Sequence, residues 1–319
     1  MLENIWQKID DNMQLSKKDA VALLNIGNKS GDFYKLISRA NELSRKQYQN
    51  KGYIFAQIGI NTSPCSGNCK FCSLAEKNYS VDEELEKNTE EVISQAKLIA
   101  NETVEALFLM TTADFEKKKF LSVGREVRKI LPDDTQLVAN TGDFDADYAE
   151  KLKSAGFSGA YHIVRLREGT DTDIARETRI ATLDAIKSAG LDLYYCIEPI
   201  GKEHTYDEIA DEMIRAREYN VDVMAVMGRV GVKGTPYEST AALSEIELAK
   251  ITAVTRIVTA PKKSMNIHEP KKMALLAGVN QLYAEFGGNP RDTNSATENS
   301  RGFNIESVKN LLREAEYDI

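Results

Sequence analysis

The chain of 319 residues is poor in the residues that usually announce a metal or disulfide protein: four cysteines, three histidines and one tryptophan. A disulfide framework is spread through a short secreted chain, whereas three of these thiols fall within eight residues and the fourth stands alone in a long chain, which disfavours one. Three histidines exclude a multi-histidine metal centre. No stretch approaches the roughly 18 apolar residues that a membrane helix needs. Basic charge is also short, 41 Lys and Arg against 49 Asp and Glu, for a net charge of −8. General nucleic-acid binding would need a basic excess or a basic stripe. The opening MLENIWQKIDD has neither the basic start nor the apolar core of a signal peptide. The expectation is a soluble, cytoplasmic protein with neither nucleic acid nor membrane as a partner.

What is present is an ordinary globular balance, 42% hydrophobic and 28% charged, over a length that one α/β barrel can occupy. Residues 1–49 read as helices, because LSKKDAVALLNI and DFYKLISRANELSRKQYQ carry apolar residues at spacings of three and four. From residue 53 short apolar runs alternate with longer amphipathic segments. The runs are 53–60, 106–111, 136–140, 159–164, 192–198, 222–228, 264–268 and 281–286. Their near-continuous apolarity fits parallel strands buried on both faces. The pattern predicts an α/β fold: a complete (β/α)8 TIM-type barrel over 50–319, with a helical N-terminal cap over 1–49. Chemistry in such a barrel sits at the C-terminal ends of the strands.

The loop after the first strand reads Asn61-Thr-Ser-Pro-Cys65-Ser-Gly-Asn-Cys69-Lys-Phe71-Cys72. Three clustered thiols in a protein without a disulfide framework point to metal. The spacing C-x-x-x-C-x-x-C after a first strand, with Phe71 before the third cysteine, resembles the radical S-adenosylmethionine (SAM) superfamily. That resemblance implies a [4Fe–4S] cluster on Cys65, Cys69 and Cys72, thiolate being the preferred soft ligand. The fourth iron would chelate SAM, and an electron from the cluster would release a 5′-deoxyadenosyl radical that abstracts hydrogen from substrate. Pro64 and Gly67 suit a tight loop around a cube. The plain alternative is a structural zinc, which would want a fourth Cys or His at a matching spacing; Cys196 is far away in sequence.

The resemblance covers nearly the whole chain. Lys233-Gly-Thr-Pro236, Ile251-Thr-Ala-Val-Thr-Arg-Ile257 and Ala277-Gly-Val-Asn280 look like biotin synthase and its relatives, the [FeFe]-hydrogenase cofactor maturase and methylornithine synthase. It implies that Glu168 binds the SAM amino group and that Arg179 pairs with the SAM carboxylate, a geometry arginine provides well. It also implies that Ile200, followed by Gly201, packs on adenine, and that Met110, Thr111 and Thr112 offer backbone carbonyls to the amino group. A surface ion pair is the alternative for Glu168 and Arg179, and barrel core for Ile200. Biotin synthase holds a second, sacrificial cluster on three strand cysteines and one arginine. The matching positions here are Leu109, Val138, Tyr194 and Asn266, none of which can do that job. Cys196 reads as a small buried hydrophobe.

Polar residues at predicted strand ends are the substrate candidates, because buried charge is costly unless it is paired. These are His162, Arg165, Arg229, His268, Glu285 and Arg291 for binding, with Glu198 and Tyr195 as catalytic candidates. Arg165, Arg167, Arg229 and Arg291 are expected together to hold a carboxylate or phosphate. Glu269, Asn289 and Asp292 lie nearby, and a salt-bridge ring at the rim is the alternative for the whole set. Thr205 with Glu208 forms a capping-box pattern, which makes His204 as structural as functional. The reading is a radical SAM enzyme acting on a small, anionic molecule by rearrangement, fragmentation or cofactor-precursor synthesis. Its partners would include an electron donor such as flavodoxin or ferredoxin, in an anaerobic or low-oxygen host. Sulfur insertion from an unconventional source, a non-catalytic iron–sulfur scaffold or carrier, and a zinc-stabilised hydrolytic barrel are the competing readings.

Overall fold

The computed structural model describes residues 2–240 and 242–319, so the first residue of the predicted helical segment lies outside them. Three helices lead: α1 (Leu2–Asp10), α2 (Lys17–Leu24) and α3 (Gly31–Tyr48). Strand and helix then alternate as β1 (Tyr53–Gly59), α4 (Thr89–Ala100), β2 (Ala106–Met110), α5 (Lys117–Arg128), β3 (Gln136–Asn140), α6 (Ala146–Ser154), β4 (Gly159–Tyr161) and α7 (Arg176–Ala189). The second half continues as β5 (Asp192–Ile200), α8 (Tyr206–Glu218), β6 (Val223–Gly228), α9 (Glu245–Thr259), β7 (Ser264–His268), α10 (Lys272–Leu275), β8 (Gln281–Gly287) and α11 (Ile305–Glu314). The eight parallel strands close in sequence order into one barrel. No helix among the described residues is long and apolar enough to cross a membrane.

The leading helices lie against α8 and α9. Arg217 reaches the Leu15 carbonyl, Asn28 donates to Glu247 at 2.7 Å, and Gln47 donates to the Pro261 carbonyl at 2.7 Å. Local chemistry sets helix starts as expected: Thr205 and Glu208 form both halves of the predicted capping box on α8.

Two strands differ from the sequence reading by more than one residue. β4 ends at Tyr161, three residues early, because the Val164 N–H goes to the Tyr195 hydroxyl (3.3 Å) instead of to a ladder partner. β5 runs on to Ile200, and its register against β6 shifts between Ile197 and Ile200. The shift falls at Glu198–Pro199, where proline has no N–H to give the ladder, and such irregularities re-aim side chains.

Side chains alternate between barrel interior and helical layer. Phe55, Phe108, Val138, Tyr194, Val223 and Tyr283 pack into one interior cluster. Phe55 and Tyr283 are register partners on β1 and β8, and their rings stand edge-to-face at 5.5 Å. Phe108 meets Tyr194 at 5.1 Å and Tyr283 at 5.0 Å, again edge-to-face, the arrangement aromatic quadrupoles prefer. This plug fills the barrel below the level of Gln57, Glu198 and Glu285.

Candidate active site

Above the plug, the C-terminal mouth holds a cavity into which the cysteine loop folds. Four segments hold that loop. Ser66 donates its N–H and hydroxyl to Asp114 after β2 (2.6 and 2.7 Å). The Gly67 carbonyl accepts from Asp173 N–H (2.8 Å), and Lys70 pairs with Asp171 (3.0 Å), both after β4. The Tyr237 hydroxyl, after β6, donates to the same Asp171 (2.8 Å). Ser73 N–H donates to the Pro290 carbonyl (3.0 Å) beyond β8. A Cβ on Gly67 would stand 3.0 Å from Ile174 and 3.5 Å from the Cys65 sulfur, so glycine keeps this cradle open.

All four cysteines are free thiols. Cys65, Cys69 and Cys72 line the cavity with Phe71. Burial pushes the Cys69 and Cys72 thiols up, and for Cys69 the nearby Arg165 charge pulls the other way. The Cys72 sulfur already accepts the Leu74 N–H at 3.3 Å. Metal coordination would deprotonate such thiols outright. Among the described residues no three Cys, His, Asp or Glu donors converge as a single-ion site. A mononuclear zinc does not fit that arrangement, whereas in a cube each thiolate binds a different iron.

The wall beside the loop is built from β2, β3 and α7. Met110, Thr111 and Thr112 line it as expected, with Thr112 held by Asn61 in a reciprocal pair (2.8 and 3.0 Å). Arg179 also lines it, with Nε on Glu168 (3.3 Å) and Nη1 on Asp143 (3.1 Å). Nη2 has no acceptor among the described residues, which leaves one edge of the guanidinium for a ligand. Burial works to raise the Asp143 carboxyl, but His162 and the Arg179 charge outweigh it and hold it at about 2.

The deep wall carries the charges. The Tyr161 hydroxyl donates to Glu198 at 2.8 Å, and Arg165 Nε lies 3.8 Å from the other Glu198 oxygen. Glu285 is held by Asn289 (3.0 Å) and by Arg291. Burial pushes the Glu285 carboxyl up while Arg291 opposes it. His268 stacks on Tyr283 at 4.6 Å, and burial drives its pKa well down.

Six expected site residues stand elsewhere. Tyr195 points into the helical layer, since Tyr194 and Cys196 beside it take the interior phase; its hydroxyl donates to Glu212 of α8 at 2.6 Å. Ile200 packs in the same outer core, away from the cavity, which is the barrel-core alternative. Glu168 has a fully covered side chain, closed in by Arg179, by the Arg165 N–H (2.9 Å) and by Thr172 (2.5 Å). It therefore supports Arg179 instead of facing a ligand. His162 sits behind the wall, 3.0 Å from Asp143. Arg229 pairs with Glu203 (2.8 Å) and stacks over Tyr237 at 4.3 Å, so its charge is spent outside the mouth. Arg167 is likewise taken, by Glu208 (3.3 Å) and the Glu203 carbonyl (2.6 Å). His204 accepts the Gly201 N–H at 2.9 Å, the structural role. Glu269 pairs with Arg301 (3.1 and 3.2 Å). Leu109, one of the positions matched to a second cluster, faces the outer core and not the interior. Among the cavity residues that sequence reasoning missed are Gln57, Tyr161 and Asn140. The signal for the first two was there: each is polar, or carries a hydroxyl, on an inward phase of an otherwise apolar strand.

Known proteins agree with this picture. No family model matches the chain. A biotin synthase of Clostridioides difficile is 27% identical over 256 residues, 77% of this chain and 78% of its own length. A biotin synthase of Carboxydothermus hydrogenoformans is 23% identical over 301 residues, 87% of this chain and 90% of its own. The chain resembles the biotin synthase subgroup of radical SAM enzymes. Solved structures carry the fold further. A methylornithine synthase superposes with a TM-score of 0.82 at 17% identity, covering 98% of this chain and 95% of that one. The FeFe-hydrogenase maturase of C. hydrogenoformans gives 0.83 at 16%, covering 99% and 78%.

Proposed function

We propose that this protein is a radical SAM enzyme that holds a [4Fe–4S] cluster on Cys65, Cys69 and Cys72 and abstracts hydrogen from a small polar substrate. The observation that carries the reading is three cavity-lining thiols that do not form a single-ion site, beside an Arg179 with one free edge. When bound, the cluster supplies an electron to SAM and so a 5′-deoxyadenosyl radical. The residues do the rest. Arg179, oriented by Asp143 and Glu168, holds the SAM carboxylate, and the strand-end stretch Met110–Thr112 receives the amino group. Asn61 keeps Thr112 in position. Glu198, Arg165, Glu285 and Arg291 bind and orient the substrate on the deep wall. The cysteine loop and the segment after β4, tied together through Asp171, exclude water from the mouth.

Sulfur insertion finds no support in the interior. Val138 and Tyr194 are plug residues, Asn266 is fully buried and donates to the Gln281 carbonyl, and Leu109 faces outward. Cys196 alone, also fully buried, is no ligand set. A cytoplasmic setting, a flavodoxin or ferredoxin donor and a low-oxygen host belong to the same proposal.

The test is anaerobic reconstitution with iron and sulfide counting, then SAM and dithionite with 5′-deoxyadenosine followed. About four irons per chain are expected, with deoxyadenosine formed by the native chain and lost in Cys72→Ala. About eight irons would favour sulfur insertion, and stoichiometric zinc without deoxyadenosine would sink the radical reading.

A further inference from the structure

The sequence places four arginines at strand ends, a set expected to hold an anion. The fold removes two of them: Arg167 and Arg229 are consumed by Glu208 and Glu203 outside the mouth. Two guanidinium groups, Arg165 and Arg291, remain on the deep wall against two carboxylates, Glu198 and Glu285. The wall is therefore neutral overall and strongly dipolar.

Its unmet hydrogen bonds have a pattern. Arg291 is satisfied, with Nε on Asn289 (3.2 Å) and Nη2 on Glu285. Arg165 is not: its Nε and Nη1 are buried and have no acceptor among the described residues, and the nearest Glu198 oxygen stands at 3.8 Å, beyond hydrogen-bond reach. A buried charged donor left unmade is costly, so this one awaits an acceptor from a ligand. Each carboxylate also keeps one oxygen without a donor among the described residues. Glu198 spends only the oxygen facing Tyr161, and Glu285 only the one facing Asn289 and Arg291.

A phosphate or a simple acid would satisfy Arg165 but bring uncompensated negative charge against Glu198 and Glu285 in a desolvated cavity. A cation alone would leave Arg165 bare. We infer that the substrate is a small zwitterion, its carboxylate received by Arg165 and its ammonium by the free oxygens of Glu198 and Glu285. This rests on the radical SAM reading, and it replaces the anion expected from the sequence with a molecule of no net charge.

Equilibrium dialysis with the cluster-loaded enzyme and SAM, without reductant, tests it apart from turnover. The probes are the standard L-amino acids, the amine and 2-hydroxy acid corresponding to each, and inorganic phosphate. At least one amino acid is expected to bind at about 1 mM or below, with its amine and 2-hydroxy acid at least about tenfold weaker, the loss of one charged contact. Arg165→Gln should weaken the amino acid and the hydroxy acid but not the amine. Glu198→Gln should weaken the amino acid and the amine but not the hydroxy acid, and it serves alone if Arg165→Gln does not fold. Preference for phosphate or a hydroxy acid, no bound amino acid, or an Arg165→Gln defect confined to SAM would each overturn the inference. Deoxyadenosine formed on adding dithionite reports the underlying reading separately: its formation with no zwitterion bound sinks this inference alone, and its absence beside tight zwitterion binding sinks the other alone.

Discussion

The lower and upper halves of the barrel interior are built on the same strands and have opposite characters. On β1 the inward residue changes from Phe55 to Gln57, on β5 from Tyr194 through Cys196 to Glu198, and on β8 from Tyr283 to Glu285. Below that step the rings interlock and nothing titrates near neutral pH; Tyr194 and Tyr283 are pushed well up by burial. Above it, guanidinium groups and carboxylates face a cavity with donors unmet. The lower layer is held by ring packing, with Asn266 Oδ1 and the Gln281 amide among the polar atoms left without partners there, whereas the upper layer concentrates charge. A rigid floor lets the upper layer keep costly buried charge in register.

Breaking the floor should give the largest effect. Phe55→Ala removes a ring that meets Phe108, Tyr194 and Tyr283 at 5.8, 6.1 and 5.5 Å. Chemical denaturation is expected to show a loss of about 3–5 kcal/mol, while reconstituted iron content stays that of the native chain. A loss of iron with unchanged stability would mean that the two layers are not separable in this way.

A smaller and sharper contrast comes from two tyrosines that each donate to a glutamate, one on each side of the sheet. Tyr195→Phe strips a donor from the buried Glu212 and should cost about 1–3 kcal/mol, moving stability more than turnover. Tyr161→Phe strips the donor from Glu198 and should move the KM for substrate more than stability. The reverse assignment would return Tyr195 to the catalytic role its position suggested.

A last contrast is in pH. His162, His204 and His268 are all lowered from the ordinary value of 6.5, in each case chiefly by burial. The unfolded chain then binds more protons than the folded one below about pH 6.5, so stability falls as pH drops through that value toward the lowered pKa. The slope is at most about 1.4 kcal/mol per pH unit for each histidine. Denaturation curves at about pH 7.5 and 5.5 check it, and a stability that rises on acidification would contradict the burial.

The fold was legible because each strand is a compact apolar run and each helix carries a three-four period. All eight strands lie where the sequence reading put them, to within one residue except at the ends of β4 and β5. The cysteine loop was legible from its spacing together with its place after the first strand. What was not legible is the phase of each strand. In a parallel barrel both faces are apolar, so Tyr194, Tyr195 and Cys196 read alike, and only closure decides which point inward. The loops hid a different thing: Arg167 and Arg229 lie beside the mouth in sequence, yet Glu203 and Glu208, contributed after β5, draw them away. Pairing between loops has no local signature.

The hydrogen bond from Ser73 to the segment after β8 also imposes an order in time. The thiols are made early, but the Ser73 hydroxyl faces the Asn289 carbonyl, 216 residues further along the chain. Until the ribosome has released that last strand, the cysteine loop lacks one of its four holds and the barrel has no closed mouth. Only the closed barrel gathers the thiols at its mouth, so a receptacle for any metal centre exists only once the strand farthest along the chain is in place.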